Sequence, residues 1–368
     1  MRILYFSTDY TTHDRRFLAK MAEPAHEIFF LQLRAKGQLF EGRELPTGVR
    51  SVTWAGIEGS IDPPGCLAKM PALRRILDQV KPDVIHAGPI PTCAFMIALS
   101  GFRPLLSMSW GSDILVEARD DELSHFTAEY ALARSDFFIV DCDAVRERIR
   151  AITGAGDDRF VQFPWGLDLA HFPRTAPRIA SRDPIVVLST RSWAHIYGIE
   201  TVVASFALAY REEPRLRLVL LGDGPLGPEV ERAIASAGLG SVVSRPGRVK
   251  EDELGAYFAA ADVYLSCALS DGTSVSLLEA MAHGLPAVLT DNASNREWID
   301  ENEGGWLAPA GDAAGFAHSL LSAARIDEGQ RKAIALRNRS VIEQRADWHG
   351  NTKKLLEAYE RAALLPRT

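Results

Sequence analysis

The sequence predicts an α/β protein made of two doubly wound parallel sheets in tandem. Short segments apolar on both faces alternate with helical runs along nearly the whole chain, the pattern of a parallel sheet covered by helices on both sides. The alternation breaks once, over Gly166–Asp183, where prolines interrupt any sustained periodicity, and then restarts. A chain of 368 residues also exceeds what one ordinary core holds.

In the first half the strand candidates are Ile3–Ser7, Glu27–Leu33, Val49–Trp54, Asp83–Ala87, Pro104–Met108, Asp136–Val140 and Phe160–Phe163. Helical runs fall between several of them, at Arg15–Ala22, Leu67–Gln79, Pro91–Leu99, Glu122–Ala133 and Ala144–Ala151. After the proline-bearing linker come strands Ile185–Ser189, Arg217–Leu221, Val242–Ser244, Val263–Ser266 and Ala287–Thr290. Their helices are Ile199–Tyr210, Pro228–Ala237, Glu251–Ala260 and Val275–His283, and the tail Ala313–Ala363 reads as consecutive helices without a strand. The expected domains are residues 1–171 and 183–345, with 346–368 as a terminal helix that crosses back to the first. Two such sheets would face a central cleft lined by the carboxyl ends of their strands.

Composition narrows the function. The net charge of −7 divides evenly, residues 1–171 carrying 19 basic and 23 acidic side chains and the rest 22 and 25. Neither half is a basic platform, which argues against nucleic acid as the main partner. Cys66, Cys93, Cys142 and Cys267 are far apart and fit buried thiols of a reducing compartment. The first residues run straight into an apolar strand and no stretch approaches a membrane span, so the expected location is cytoplasmic, at most peripheral to a membrane.

The richest stretch is Ser270-Asp271-Gly272-Thr273-Ser274-Val275-Ser276-Leu277-Leu278-Glu279-Ala280-Met281-Ala282-His283-Gly284-Leu285-Pro286. It reads as a strand end, a glycine loop and a helix opening near Thr273–Ser274, whose unpaired N–H groups and positive dipole end suit a phosphate. Asp271 precedes that helix and Glu279 lies inside it. An Arg191 at the end of the first strand of the second half supplies a cation, followed by His195, Tyr197 and Gly198. The turn Gly222-Asp223-Gly224-Pro225 and the loop Gly247-Arg248-Val249 follow two further strands.

Together these segments resemble the family 4 glycosyltransferases of the GT-B fold, whose signature is an acid, seven residues, a Glu, then Ala-Met-Ala-x-Gly-x-Pro. The resemblance implies that Glu279 holds ribose hydroxyls, Asp271 meets the donor sugar, and the backbone of Gly272, Thr273, Ser274 and Val275 holds a diphosphate. It implies that Arg191 stabilises the leaving phosphate and that Val249, beside Arg248, meets the nucleobase, with Gly222 in a donor-side turn. The family's Lys before Gly198 is replaced by Tyr197, so either His195 or Tyr197 donates a hydrogen bond instead or the second charge comes from elsewhere, and Asp271 stands where Glu is usual. The expected partners are a nucleotide-sugar donor and a saccharide, lipid-linked or small-molecule acceptor.

The first half is expected to hold the acceptor. His86 ends a strand where several relatives place a histidine beside the donor sugar, though a satisfied structural histidine fits as well. Trp110-Gly111-Ser112-Asp113 resembles the family's His-Gly-x-Asp, and the loop from Ser7 to Arg16 lacks the family's Gly-Gly; Asp9, His13, Arg15, Trp110 and Asp113 are the acceptor-side candidates. Asp141-Cys142-Asp143 imitates a metal-binding Asp-x-Asp, but it opens a helix, where Asp143 fits an N-cap. No metal and no other cofactor is expected.

The resemblance implies a retaining hexosyl transfer in which the departing β-phosphate takes the acceptor's proton, as in surface polysaccharide, glycolipid or glycoconjugate synthesis. Two alternatives stay open, a nucleotide-sugar epimerase on the same fold and a non-catalytic GT-B partner subunit.

Overall fold

The computed structural model describes residues 1–366 apart from 24–25, 36–40, 120, 173–182 and 302. Most of the expected linker therefore lies outside the described residues. The chain divides into two compact units, Met1–Pro164 with Gly350–Thr368, and Trp165–His349. Residues 165–171 and 346–349 thus fall in the second unit. Leu167 N–H donates to the Ala346 carbonyl at 2.7 Å and Trp348 N–H to the Leu167 carbonyl at 2.9 Å, which ties the two segments together.

The first unit holds seven strands: β1 (Arg2–Ser7), β2 (Glu27–Gln32), β3 (Val49–Val52), β4 (Val84–Gly88), β5 (Leu105–Met108), β6 (Phe137–Val140) and β7 (Phe160–Gln162). They pair in parallel in the order β3-β2-β1-β4-β5-β6-β7. The four central strands are buried at nearly every position, which explains their unbroken apolar runs. The run predicted as one helix over Pro91–Leu99 is a wide turn, Ile90–Ala94, continued by a helix over Phe95–Ser100.

The second unit repeats the plan with β8 (Ile185–Ser189), β9 (Leu216–Leu221), β10 (Val243–Gly247), β11 (Val263–Ser266), β12 (Ala287–Thr290) and β13 (Gly305–Ala308). Its parallel order is β10-β9-β8-β11-β12-β13. The sequence reading lacked β13, a four-residue edge strand that opens on glycine. A Cβ on Gly305 would stand 2.2 Å from the Ala287 carbonyl oxygen, so only glycine lets β13 approach β12 there.

In each sheet the strand order reverses between two neighbours, β1 and β4 in the first and β8 and β11 in the second. Loops leaving the carboxyl ends of such a pair turn to opposite faces and open a crevice, where open α/β sheets bind ligands. The four cysteines are buried free thiols. Among the described residues no helix is long and apolar enough to cross a membrane.

Candidate functional site

The loops after β8 and β11 bring together the residues on which the donor reading rests. β8 delivers Arg191 two residues past its end. Trp193 anchors the loop, its backbone N–H donating to the Asp223 carbonyl at 2.8 Å and its indole N–H to the Leu221 carbonyl at 3.2 Å. The turn after β9 needs its glycines for this approach. Gly222 takes φ +89°, with its missing Cβ facing the Arg191 carbonyl oxygen at 3.1 Å, and a Cβ on Gly224 would stand 2.4 Å from the Trp193 carbonyl oxygen.

Arg191 is nearly enclosed and fully engaged on one side. Its NH2 lies 2.6 Å from Asp271 Oδ2, and NH1 donates to Ser274 Oγ at 2.9 Å and Ser276 Oγ at 3.2 Å. Tyr264 on β11 donates to Ser276 Oγ at 2.9 Å, so the network is pinned to the sheet. Burial works against the charge of Arg191, but the Asp271 carboxylate, with Tyr197 and Tyr264, outweighs it and holds the guanidinium above its ordinary range. Arg191 Nε makes no hydrogen bond among the described residues, whose hydrogen bonds to it run through NH1. Asp271 is fixed in turn, since Ser294 Oγ donates to its carbonyl at 2.8 Å.

Helix Val275–Ala282 begins at this network. Ser274 is its N-cap by backbone position, yet its hydroxyl serves Arg191 and makes no cap bond. The first N–H groups of the helix are left for an external acceptor. Leu277, Leu278, Ala280, Met281 and Ala282 face the core, while Glu279 is half-buried on another face. The Ala-Met-Ala-x-Gly half of the signature ends the helix. Gly284 N–H donates to Met281 and Leu285 N–H to Ala280, a Schellman close with Gly284 at φ +73°, and a Cβ there would meet Ala335 Cβ at 2.8 Å.

His195 and Tyr197 part company. His195 is exposed and its Nδ1 lies 3.0 Å from Glu200 Oε1, away from the network. Tyr197 instead offers its ring face to Arg191. Arg248 is exposed and paired with Asp223 Oδ1 at 2.6 Å, and Val249 packs partly buried beside it.

In the first unit several candidates are tied up within the fold. His86 is wholly buried, with Nδ1 at 2.6 Å from Tyr359 Oη and Nε2 at 3.2 Å from Met108 Sδ. Burial pulls its pKa down to about 3. It is a buried core histidine, so the role beside the donor sugar, for which it was a catalytic candidate, is not carried forward. Asp113 is equally enclosed. Its Oδ1 accepts from Ser109 Oγ at 2.6 Å and Trp110 N–H at 3.0 Å, and its Oδ2 from Ile90 N–H at 3.0 Å, so it pins the loop after β5 to the turn after β4. Burial raises the Asp113 carboxyl to about 6. Asp9 is held by both arms of Arg34, at 2.8 and 2.5 Å. His13 and Trp110 lie ring to ring at 6.0 Å.

The Asp-x-Asp imitation is no cap by Asp143, since Cys142 occupies the N-cap and Asp143 the first helical position, accepting from Gln162 Nε2 at 2.9 Å. Among the described residues no three His, Cys, Asp or Glu side chains gather to hold a metal. Sequence reasoning missed Ser276, which accepts from Arg191, and Tyr264, which donates to Ser276; pairing of β8 with β11 brings them together.

Two family models match the chain, one described as glycosyl transferases group 1 over residues 183–325 and one as glycosyl transferase 4-like over residues 2–142. The putative colanic acid biosynthesis glycosyltransferase WcaL of Salmonella typhimurium is 26% identical over 271 residues, 71% of this chain and 66% of the relative. The amylovoran biosynthesis glycosyltransferase AmsK of Erwinia amylovora is 29% identical over 194 residues, 50% of this chain and 47% of its own. The chain thus spans from about half to just under two thirds of the length of these relatives. Among solved structures, sucrose-phosphate synthase from Thermosynechococcus elongatus superposes with a TM-score of 0.81 at 17% identity, covering 98% of both chains. HepE of Anabaena, solved with UDP-glucose, gives 0.76 at 19% identity, covering 98% of this chain and 100% of its own. At such identities the likeness is one of fold.

Proposed function

This chain belongs to the group 1 glycosyltransferases of the GT-B fold, and we propose that it moves a hexose from a nucleotide-diphosphate sugar to an acceptor hydroxyl with retention of configuration. One observation carries the proposal: a cation held by Asp271, Ser274 and Ser276 stands beside the open N-terminus of helix Val275–Ala282, where the strand order of its sheet reverses. A diphosphate needs both features. In this reading Arg191 spends its remaining N–H groups on the β-phosphate, and the N–H groups of Val275 and its neighbours take the other oxygens. Glu279 receives the ribose diol, Asp271 the sugar, and Val249 lies against the base. The anchoring of Arg191 before any ligand arrives means little reorganisation is needed when negative charge grows on the leaving phosphate. The departing phosphate accepts the acceptor's proton on the same face, so no basic side chain and no metal is required.

The same fold in Anabaena HepE accommodates UDP-glucose, which supports a nucleotide-sugar donor. AmsK and WcaL, described as serving amylovoran and colanic acid biosynthesis, support a saccharide or lipid-linked acceptor in surface polysaccharide assembly. Thermal-shift titration with UDP, GDP and ADP, followed by NMR of the product anomer with and without EDTA, tests the reading. Stabilisation by one nucleotide, an α-linked product from an α-linked donor, and activity that survives EDTA are expected. An inverted product, or activity lost with EDTA and restored by Mn²⁺, would overturn it.

A further inference from the structure

The loop and helix that follow β1 carry a cation that no carboxylate among the described residues neutralises. Arg15 sits in the first turn of helix Thr12–Ala22 and is half-buried, with its Nε shielded from solvent and without a hydrogen-bond partner. No carboxylate among the described residues forms an ion pair with it. Three acids close to it in sequence or on the adjoining segments, Asp9, Asp14 and Glu41, already have partners. Asp9 is gripped by Arg34 through two bonds, and Glu41 by Arg43 at 2.6 Å. Asp14, next to Arg15 in sequence, points into the core, where it accepts from Tyr5 Oη at 2.9 Å, Thr11 N–H at 2.8 Å and Thr11 Oγ1 at 2.5 Å. That capping box also closes the helix end, so the free group here is the Arg15 side chain and not the helix terminus.

A partly desolvated guanidinium without a partner costs stability, and cations at the start of a helix meet the positive end of its dipole. An external oxyanion would offset both, and a carboxylate or phosphate fits the planar fork of Arg. We propose that Arg15 receives an oxyanion carried by the acceptor, so that the acceptor is an acidic sugar, a uronate or a sugar phosphate, and not a neutral one. The proposal rests on the transferase reading for the word acceptor, but not for the anion site itself.

The test titrates methyl glucuronide, glucose 6-phosphate and methyl glucoside against the full chain by ligand-observed NMR, with Arg15→Ala and Arg15→Lys beside the wild type. UDP affinity of each variant is measured by calorimetry as a control on folding. The charged sugars should bind and methyl glucoside should not, and Arg15→Ala should weaken the charged sugars at least roughly tenfold with UDP affinity unchanged. Arg15→Lys should recover part of the loss. Preference for glucuronide over glucose 6-phosphate, or the reverse, identifies the oxyanion. Equal binding of neutral and charged sugars, binding indifferent to Arg15→Ala, or no binding of any sugar overturns the proposal. Failure of UDP to bind the wild type counts against the transferase reading alone.

Discussion

The guanidinium carbon of Arg191 lies 4.3 Å from the centroid of the Tyr197 ring. A π face therefore stands where relatives of this family carry a second cation. It steadies Arg191 without adding charge, so on the proposed function the burden of a departing phosphate would fall on one side chain. Tyr197→Phe should keep nucleotide affinity near wild type, whereas Tyr197→Ala should weaken it roughly three- to thirtyfold, the usual range for a partly desolvated cation–π pair. Calorimetry with the preferred nucleotide decides it. Equal losses in both variants would assign the role to the hydroxyl.

Arg191→Ala should lower kcat/KM by roughly 10²–10³, the scale for losing one preorganised charge-stabilising donor. The loss should reach kcat as well as KM, because the interaction strengthens as the glycosidic bond breaks. Arg191→Lys keeps the charge but cannot serve Asp271, Ser274 and Ser276 together, so it should recover activity only in part. A rise in KM with kcat unchanged would make Arg191 a binding residue only.

Glu279→Gln should weaken nucleotide binding by about 1.5–3 kcal/mol, the worth of a hydrogen bond to a charged group. Glu279 is half-buried on the helix that opens at the Arg191 network, on a face the core does not use. Equal affinities in wild type and variant would remove the ribose role.

Acid should destabilise the first unit through His86. Its folded pKa of about 3 lies below the ordinary 6.5, so its contribution is complete above pH 6.5. It is lost as pH falls toward 3, because the unfolded chain takes up a proton the native state refuses, with a slope of at most about 1.4 kcal/mol per pH unit. Asp113 acts in the opposite sense. Its carboxyl is raised from 3.8 to about 6, so the native state gains stability as pH falls through that window. The two partly cancel, and the informative quantity is the difference between His86→Gln and wild type in urea denaturation at each pH. The variant should be less stable at pH 7.5 but lose less between pH 6.5 and 4. Parallel losses would clear His86 of the acid response.

Strands and the donor signature were legible in the sequence because both are local. Twelve of the thirteen described strands overlap segments read as strands from the sequence, and β13 failed to show because its opening residue is a glycine chosen for close approach. The Asp271-to-Glu279 stretch carries its own helix start, core face and glycine stop. The first unit was harder to read because its polar residues are defined by distant partners. Nothing near His86 announces Tyr359, 273 residues away, and nothing in Trp110-Gly111-Ser112-Asp113 announces that Ile90 supplies the third donor to Asp113. Tyr197 was legible as a departure from the family, but its use as a shelf for Arg191 depends on how the loop after β8 turns.

Tyr359 has one more consequence, for the order in which the protein is made. Helix Lys353–Ala363 carries it against the sheet of the first unit, yet those residues leave the ribosome only after the whole of the second unit. The second unit is one uninterrupted stretch and can close as soon as it is out. The first must wait, with His86 lacking its Tyr359 partner while its seven strands are already synthesised. Nascent chains paused before residue 350 should therefore present a sticky, unsealed amino-terminal half beside a finished carboxyl-terminal one, the state in which a chaperone would find them.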